Sequence, residues 1–197
     1  MPRDSQPQQK PQQKPQQKPQ QKPQQKSRHS GVEAYHPLFA RTGIGYDSHR
    51  FVPGKFLVLG GISIPSSVSL IGHSDADAVA HALIDAILGG AAAGDIGEIF
   101  PDTDDENAGR DSIQMLKEAI ELVRERGFIV HQADISVIAE TPAIAPHRDA
   151  MRSRLAEAMG ISPEAVSIKG KTNEGMGWIG RGEGLACIAV ASLVPVP

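Results

Sequence analysis

The chain has 197 residues, a net charge of −3 and a single cysteine, Cys187. One thiol excludes an intrachain disulfide and suits a reducing, cytoplasmic compartment. No apolar run approaches the roughly 18–20 residues of a membrane span, and no aromatics interleave the lysines as a nucleic-acid groove requires, so neither a membrane nor a nucleic acid is an expected partner.

The first segment stands apart. From Pro7 to Lys26 the tetrapeptide Pro-Gln-Gln-Lys repeats five times. It has no apolar residue to bury, and a proline at every fourth position forbids a regular helix. Residues 1–40 are therefore read as a disordered, solvated Pro/Gln/Lys-rich tail of polyproline character. They carry a charge of +5 and leave −8 on the rest. No apolar stretch of about 7–15 residues follows the basic residues, so the tail does not read as a secretory signal. Residues 41–197 are long enough for one domain with its own core.

Residues 42–47 (TGIGYD) and 56–64 (FLVLGGISI) read as strands, the second interrupted by a turn or bulge at Gly60-Gly61. A helix follows, with Ser74 as its expected cap, Asp77 in the capping-box place and Gly89-Gly90 at its end. Asp77, His81 and Asp85 recur at i, i+4 spacing on one polar stripe. After a Gly- and Asp-rich loop (Gly94–Gly109), Asp111–Arg126 has the periodicity of an amphipathic helix closed by Gly127. Residues 133–139 are β-rich, Pro146 opens a third helix ending at Gly160, and Val166–Lys169 and Gly184–Val194 read as strands. The last is too apolar for an exposed edge. The expected fold is a single-domain α/β sandwich, its mixed sheet carrying helices on one face.

Four clusters carry chemistry. Asp47 and His49 form an Asp-x-His pair whose side chains share one strand face, and His81 on the polar stripe can complete a three-ligand site. Two imidazoles and one carboxylate suit zinc and leave a fourth position open, and Asp85, one turn beyond His81, is the expected orienting partner of that ring. A strand-end Asp-x-His also serves as an ordinary hydrogen-bonded turn. HSDAD (His73–Asp77) precedes a helix N-terminus, which favours a phosphate but is equally a capping sequence. GDIGEIFPDTD (Gly94–Asp104) suits ribose hydroxyls, a divalent ion or a plain surface loop. KTNEGMGWIGRGEG (Lys171–Gly184) offers the Thr172 hydroxyl, the Glu174 carboxylate and glycines for close backbone approach. Neither a P-loop nor a nucleophile elbow is found.

Taken in order, GYDSHRF, HSDADAVAHALIDAILGGAAAGDIGEIFPDTD and KTNEGMGWIGRGEG resemble the successive motifs of the cyclodiphosphate synthases of the non-mevalonate isoprenoid pathway, from about Arg41 to Leu193. The resemblance implies a homotrimer with active sites between subunits. It implies closure of the diphosphate of 4-diphosphocytidyl-2-C-methyl-D-erythritol 2-phosphate with release of CMP. Asp47, His49 and His81 would hold zinc, and Glu174 a second divalent ion, Mg2+ or Mn2+. His73 and Thr172 match the positions for transition-state stabilisation. Ser48 lies between two metal ligands and Ser74 beside the phosphates. Asp95, Ile96 and Gly97 match the ribose loop. Phe100, Pro101, Asp102, Thr103 and Asp104 match the loop over the methylerythritol. Ala139, Glu140, Thr141, Pro142, Ala143, Ile144 and Ala145 match the cytosine pocket, with Lys171, Asn173 and Trp178 in the last substrate-binding stretch. Arg181 and Glu183 match a pair near the trimer axis, where some members hold an isoprenoid diphosphate. Ala143 departs from the Lys usual there, Lys171 stands where some members have Thr, and Trp178 where Phe is common. Two other readings use the same residues: a metal-dependent nucleotide phosphohydrolase, and a trimeric metal- or isoprenoid-diphosphate-binding protein without catalysis.

Overall fold

The computed structural model describes residues 39–104 and 107–197. The Pro-Gln-Gln-Lys tail lies outside the described residues, and Pro37–Pro197 cluster as one compact unit. Strand β1 (Arg41–Pro53) is followed by the short β2 (Phe56–Leu59), β3 (Ile62–Pro65) and β4 (Val68–Ile71). Helices α1 (Ala78–Gly90), α2 (Ile96–Ile99) and α3 (Ser112–Glu125) come next, then β5 (Phe128–Ile138), α4 (Arg148–Met159), β6 (Val166–Lys171), α5 (Gly177–Gly180) and β7 (Gly184–Pro195).

One sheet runs in the order β4-β1-β7-β5-β6, and β2 and β3 form a separate hairpin. β7 pairs antiparallel with β1 and β5, while β5 and β6 are parallel, so the sheet is mixed as expected. The apolar β7 sits in the middle, which is why it tolerates so few polar residues. Its register aligns Asp47, Cys187 and Val137 across three strands. The metal-site end of β1 therefore lies at the same sheet end as the loop leaving β5.

α1 presses directly on β1. A Cβ on Gly45 would stand 1.9 Å from the Ala82 carbonyl oxygen, and one on Gly43 2.0 Å from that of Ala86. Only glycine permits this approach, which removes nearly every α1 side chain from water. α3 packs on α1 and α4 packs on β6, placing Leu83, Ile87, Leu116, Ile135, Met151 and Leu155 in one fully buried core. Burial of such side chains contributes about 1.5–3 kcal/mol each. The helices cover one sheet face. The opposite face leaves Ile44 71% and Tyr46 56% exposed.

Of the turn or bulge expected at Gly60-Gly61, the structure has the turn: both glycines adopt left-handed conformations (φ 57° and 71°) and join β2 and β3 as a hairpin. Two other expectations need correction. The cap of α1 is Asp77, not Ser74. Its carboxylate accepts from the Val79 and Ala80 amides and, through the hairpin turn, from those of Gly60 and Gly61. A short hydroxyl could not reach four donors at once; a buried carboxylate can. Finally, residues 68–71 form a strand, β4, beside β1, and Phe128–Ile138 make a longer β5 than the run 133–139 suggested.

Candidate metal and phosphate site

β1 contributes Asp47 and His49 on its helix-facing side, and α1 contributes His81 from its first turn. The glycine-tight contact between the two elements closes the gap. Asp47 Oδ2 lies 2.9 Å from His49 Nε2 and 3.1 Å from His81 Nδ1, and the two ring nitrogens are 3.2 Å apart. This is the one such cluster of metal-ligating side chains among the described residues.

The positions of the protons decide whether this donor set suits a cation. His49 Nδ1 lies 3.0 Å from the Ile71 carbonyl, which can only accept, so that nitrogen carries the hydrogen. In the neutral ring Nε2 then turns a bare lone pair toward Asp47 and His81. An anionic oxygen and imidazole nitrogens converging this closely fit a divalent cation of borderline softness, zinc above all. Without one, Asp47 and His49 lean on each other. Burial would raise the Asp47 carboxyl, but its hydrogen bonds and charge interactions with His49 and His81 hold it well below the usual carboxylate range. Burial would lower His49, but the Asp47 carboxylate raises it above its ordinary value.

Two of the triad, His49 and His81, line a cavity of about 300 Å3 with His73, Ser74, Ile96, Gly97, Phe100 and Asp102, while Asp47 is outside its lining. Three sequence-separated clusters thus meet in one place. Asn107 and Met115 complete the wall; sequence reasoning missed both. Asn107, only 5% exposed, donates to the Pro101 carbonyl and accepts from Arg110, tying the 100–104 loop to the start of α3. Asp104 has its amide on the Pro101 carbonyl. Asp95 caps α2 by accepting the Glu98 amide and does not line the cavity. Pro101 and Thr103 are likewise outside its lining, and Ser48 is exposed, its amide on Asp47 Oδ1.

A second cavity of about 240 Å3 gathers Ala139, Glu140, Pro142, Ala143, Ile144, Ala145, Lys171 and Thr172, with Arg148 and Gly170. The Thr141–Pro142 peptide is cis. Glu140 Oε1 accepts the Asn173 amide at 2.9 Å and the Gly175 amide at 3.2 Å, joining this loop to the Lys171–Gly175 turn. Glu174 sits in that turn in the left-handed region (φ 52°), where a non-glycine residue is uncommon. It accepts the Thr172 hydroxyl at 3.1 Å and stands outside the triad. The two cavities share no lining residue. Trp178 and Arg181 line neither; Arg181 pairs with Glu183 at 2.6 Å on the surface.

Asp85 does not orient His81, as its helical spacing suggested. It accepts the Ile96 amide at 2.8 Å instead. The far nitrogen of His81 faces Ser74 Oγ at 2.9 Å and Ser112 Oγ at 2.8 Å. Among the described residues no helix is long and apolar enough to cross a membrane.

Fold and site together define a mixed α/β protein with a cluster of three side chains that could hold a metal ion, beside a helix N-terminus. The YgbB family matches residues 40–194. The 2-C-methyl-D-erythritol 2,4-cyclodiphosphate synthase of Gemmatimonas aurantiaca is 54% identical over 81% of this chain and 96% of the relative. That of Laribacter hongkongensis is 54% identical over 78% and 94%. Among solved structures, the Plasmodium falciparum IspF complex with CDP superposes with a TM-score of 0.71 at 33% identity, covering 81% of this chain and 99% of that one. The bifunctional IspDF of Campylobacter jejuni gives a TM-score of 0.76 at 40% identity, with 79% of this chain and 42% of that one covered. The chain belongs to the 2-C-methyl-D-erythritol 2,4-cyclodiphosphate synthase family.

Proposed function

We propose that this chain cyclises 4-diphosphocytidyl-2-C-methyl-D-erythritol 2-phosphate to 2-C-methyl-D-erythritol 2,4-cyclodiphosphate and releases CMP, a step of the non-mevalonate isoprenoid route. The observation that carries the reading is that His49 and His81, which cluster with Asp47 as candidate metal ligands, line one cavity with His73 and Ser74 at the entry to α1. In this reaction an oxygen of the 2-phosphate attacks the β-phosphorus. The bond from that phosphorus to the bridging oxygen breaks, and CMP departs with the electron pair. The substrate brings its own nucleophile, so the protein has to fold a polyanion into attacking geometry and offset the charge that gathers.

Asp47, His49 and His81 would hold zinc, and Glu174 would help hold Mg2+ or Mn2+. Such cations, when bound, act as Lewis acid and template for the phosphates. His73 and Ser74 would position a phosphate at the front of α1, and the Thr172 hydroxyl another. Asp95, Ile96 and Gly97 would take the ribose, the 100–104 loop the methylerythritol, and Ala139–Ala145 the cytosine. The CDP in the Plasmodium falciparum complex supports a cytidine diphosphate ligand of this kind.

The assembly we propose is a homotrimer. Two cavities without a common residue leave each half-site to be completed by a neighbouring subunit, and the uncovered apolar sheet face supplies the contact. Arg181 and Glu183 would lie near its axis, with an isoprenoid diphosphate as a candidate ligand there. The buried thiol of Cys187 supports a reducing, cytoplasmic setting.

Phosphorus NMR of the products tests the reaction. A ring diphosphate appearing one-for-one with CMP is expected. Inorganic phosphate with an acyclic phosphosugar would instead identify a phosphohydrolase, and no product a binding protein.

A further inference from the structure

The structure assigns Ser112 and Asp75 to the metal site as positioning residues: they hold His81 in the tautomer whose bare Nδ1 faces Asp47 and His49. The assignment rests on the metal reading above and on a chain of hydrogen bonds that fixes every proton in turn.

Ser112 is the first residue of α3 and is fully buried. Its hydroxyl is hydrogen-bonded to Asp75 Oδ1, and its amide donates to Asp75 Oδ2 at 3.1 Å. The carboxylate is held in place from the other side by the Asp77 amide, 3.2 Å from Oδ1. An ionised carboxylate only accepts, so the single hydroxyl proton of Ser112 goes to Asp75. What Ser112 then presents to His81 Nε2, 2.8 Å away, is an oxygen lone pair. Nε2 must carry the hydrogen. A neutral imidazole protonated at Nε2 is bare at Nδ1, the atom 3.1 Å from Asp47 Oδ2 and 3.2 Å from His49 Nε2.

The Ile71 carbonyl dictates the tautomer of His49 in the same way, by a group that can only accept. The two rings are thus set by different devices, a backbone carbonyl for one and a hydroxyl polarised by a carboxylate for the other. Such outer partners fix ring orientation and raise ligand basicity, and their loss typically costs ten- to a hundredfold in metal affinity. Ser74 Oγ, 2.9 Å from the same Nε2, is a second acceptor and sets the size of the effect toward the lower end.

The test uses Co2+ as the probe in the full chain, with affinity from chelator competition and ligand geometry from its visible absorption bands. Ser112→Ala is expected to bind Co2+ about tenfold more weakly, with altered bands. Asp75→Asn, which removes the charge that holds the Ser112 proton, should act in the same direction and serves if Ser112→Ala fails to fold. Thermal unfolding of the metal-free proteins separates a structural role. Affinity and bands unchanged in both variants, whatever happens to stability, would overturn the assignment. A parent chain that takes up no Co2+ would overturn the metal reading itself, and this inference with it.

Discussion

At the scale of single residues, the site depends on one carboxylate oxygen and two imidazole nitrogens that face one another at 2.9–3.2 Å. His81 projects from a buried helix turn in which alanine is the most favourable residue. His81→Ala should therefore leave the fold intact while removing most of the bound zinc and with it turnover, as read by metal content, circular dichroism and product assay. Full zinc occupancy in that variant would refute the ligand set. Ala143 poses the opposite problem, a side chain too small to read a base. Its cavity already holds Arg148 and Lys171, and a loop of this length can read cytosine through backbone groups that any residue supplies. Ala143→Lys should then tighten substrate binding by no more than an exposed charge contributes, about two- to fivefold at low salt, with the cytidine-to-uridine ratio of kcat/KM unchanged. A tenfold rise in that ratio would mean that the side chain reads the base.

The elements explain which of these residues were legible in the sequence. Asp47 and His49 announced themselves because strand alternation alone puts them on one face. The ends of α1 and α3 were readable from Gly90 and from Asp111, the residue that caps α3. Ser112 and Asn107 were not readable. They reach the site through contacts 31 and 37 residues apart in sequence, or through a turn, and no period encodes that. Asp85 misled for a related reason: helical spacing fixes its face but says nothing of the Ile96 amide, which arrives from the following loop. The α1–β1 contact, by contrast, is written in Gly43 and Gly45, and it can be tested. Gly45→Ala would drive a methyl into the Ala82 carbonyl. Overpacking of this kind costs about 1–3 kcal/mol, or a fall in Tm of roughly 2–12 °C for a chain this size. Because His81 lies one residue before Ala82, the shift should also weaken metal binding. A variant with parental Tm and metal affinity would show that α1 is not seated as tightly as these distances indicate.

The whole molecule raises the question of what covers the second face of the sheet. Asp47 and His49 point to the helices, so the residues alternating with them point away. Tyr46 pairs with Ile188, and Ile44 with Val190, in one apolar band across β1 and β7. Ile188 is 39% exposed and Tyr46 56%, and an exposed apolar band of this kind is a candidate contact surface. If the proposed trimer forms there, a charge at its centre would be buried unpaired, which costs several kcal/mol per subunit. The same charge on an isolated chain would stay in water and cost little. Tyr46→Glu should therefore sediment as a folded single chain where the parent sediments as three. The variant should keep its zinc, because all three ligands belong to one chain. It should lose turnover, because neither cavity alone contains both the metal ligands and the loop proposed for the base. Retained metal with lost activity is the pattern that a merely unfolded variant cannot give. A monomer that still turns over at the parental rate would place the complete site within one subunit.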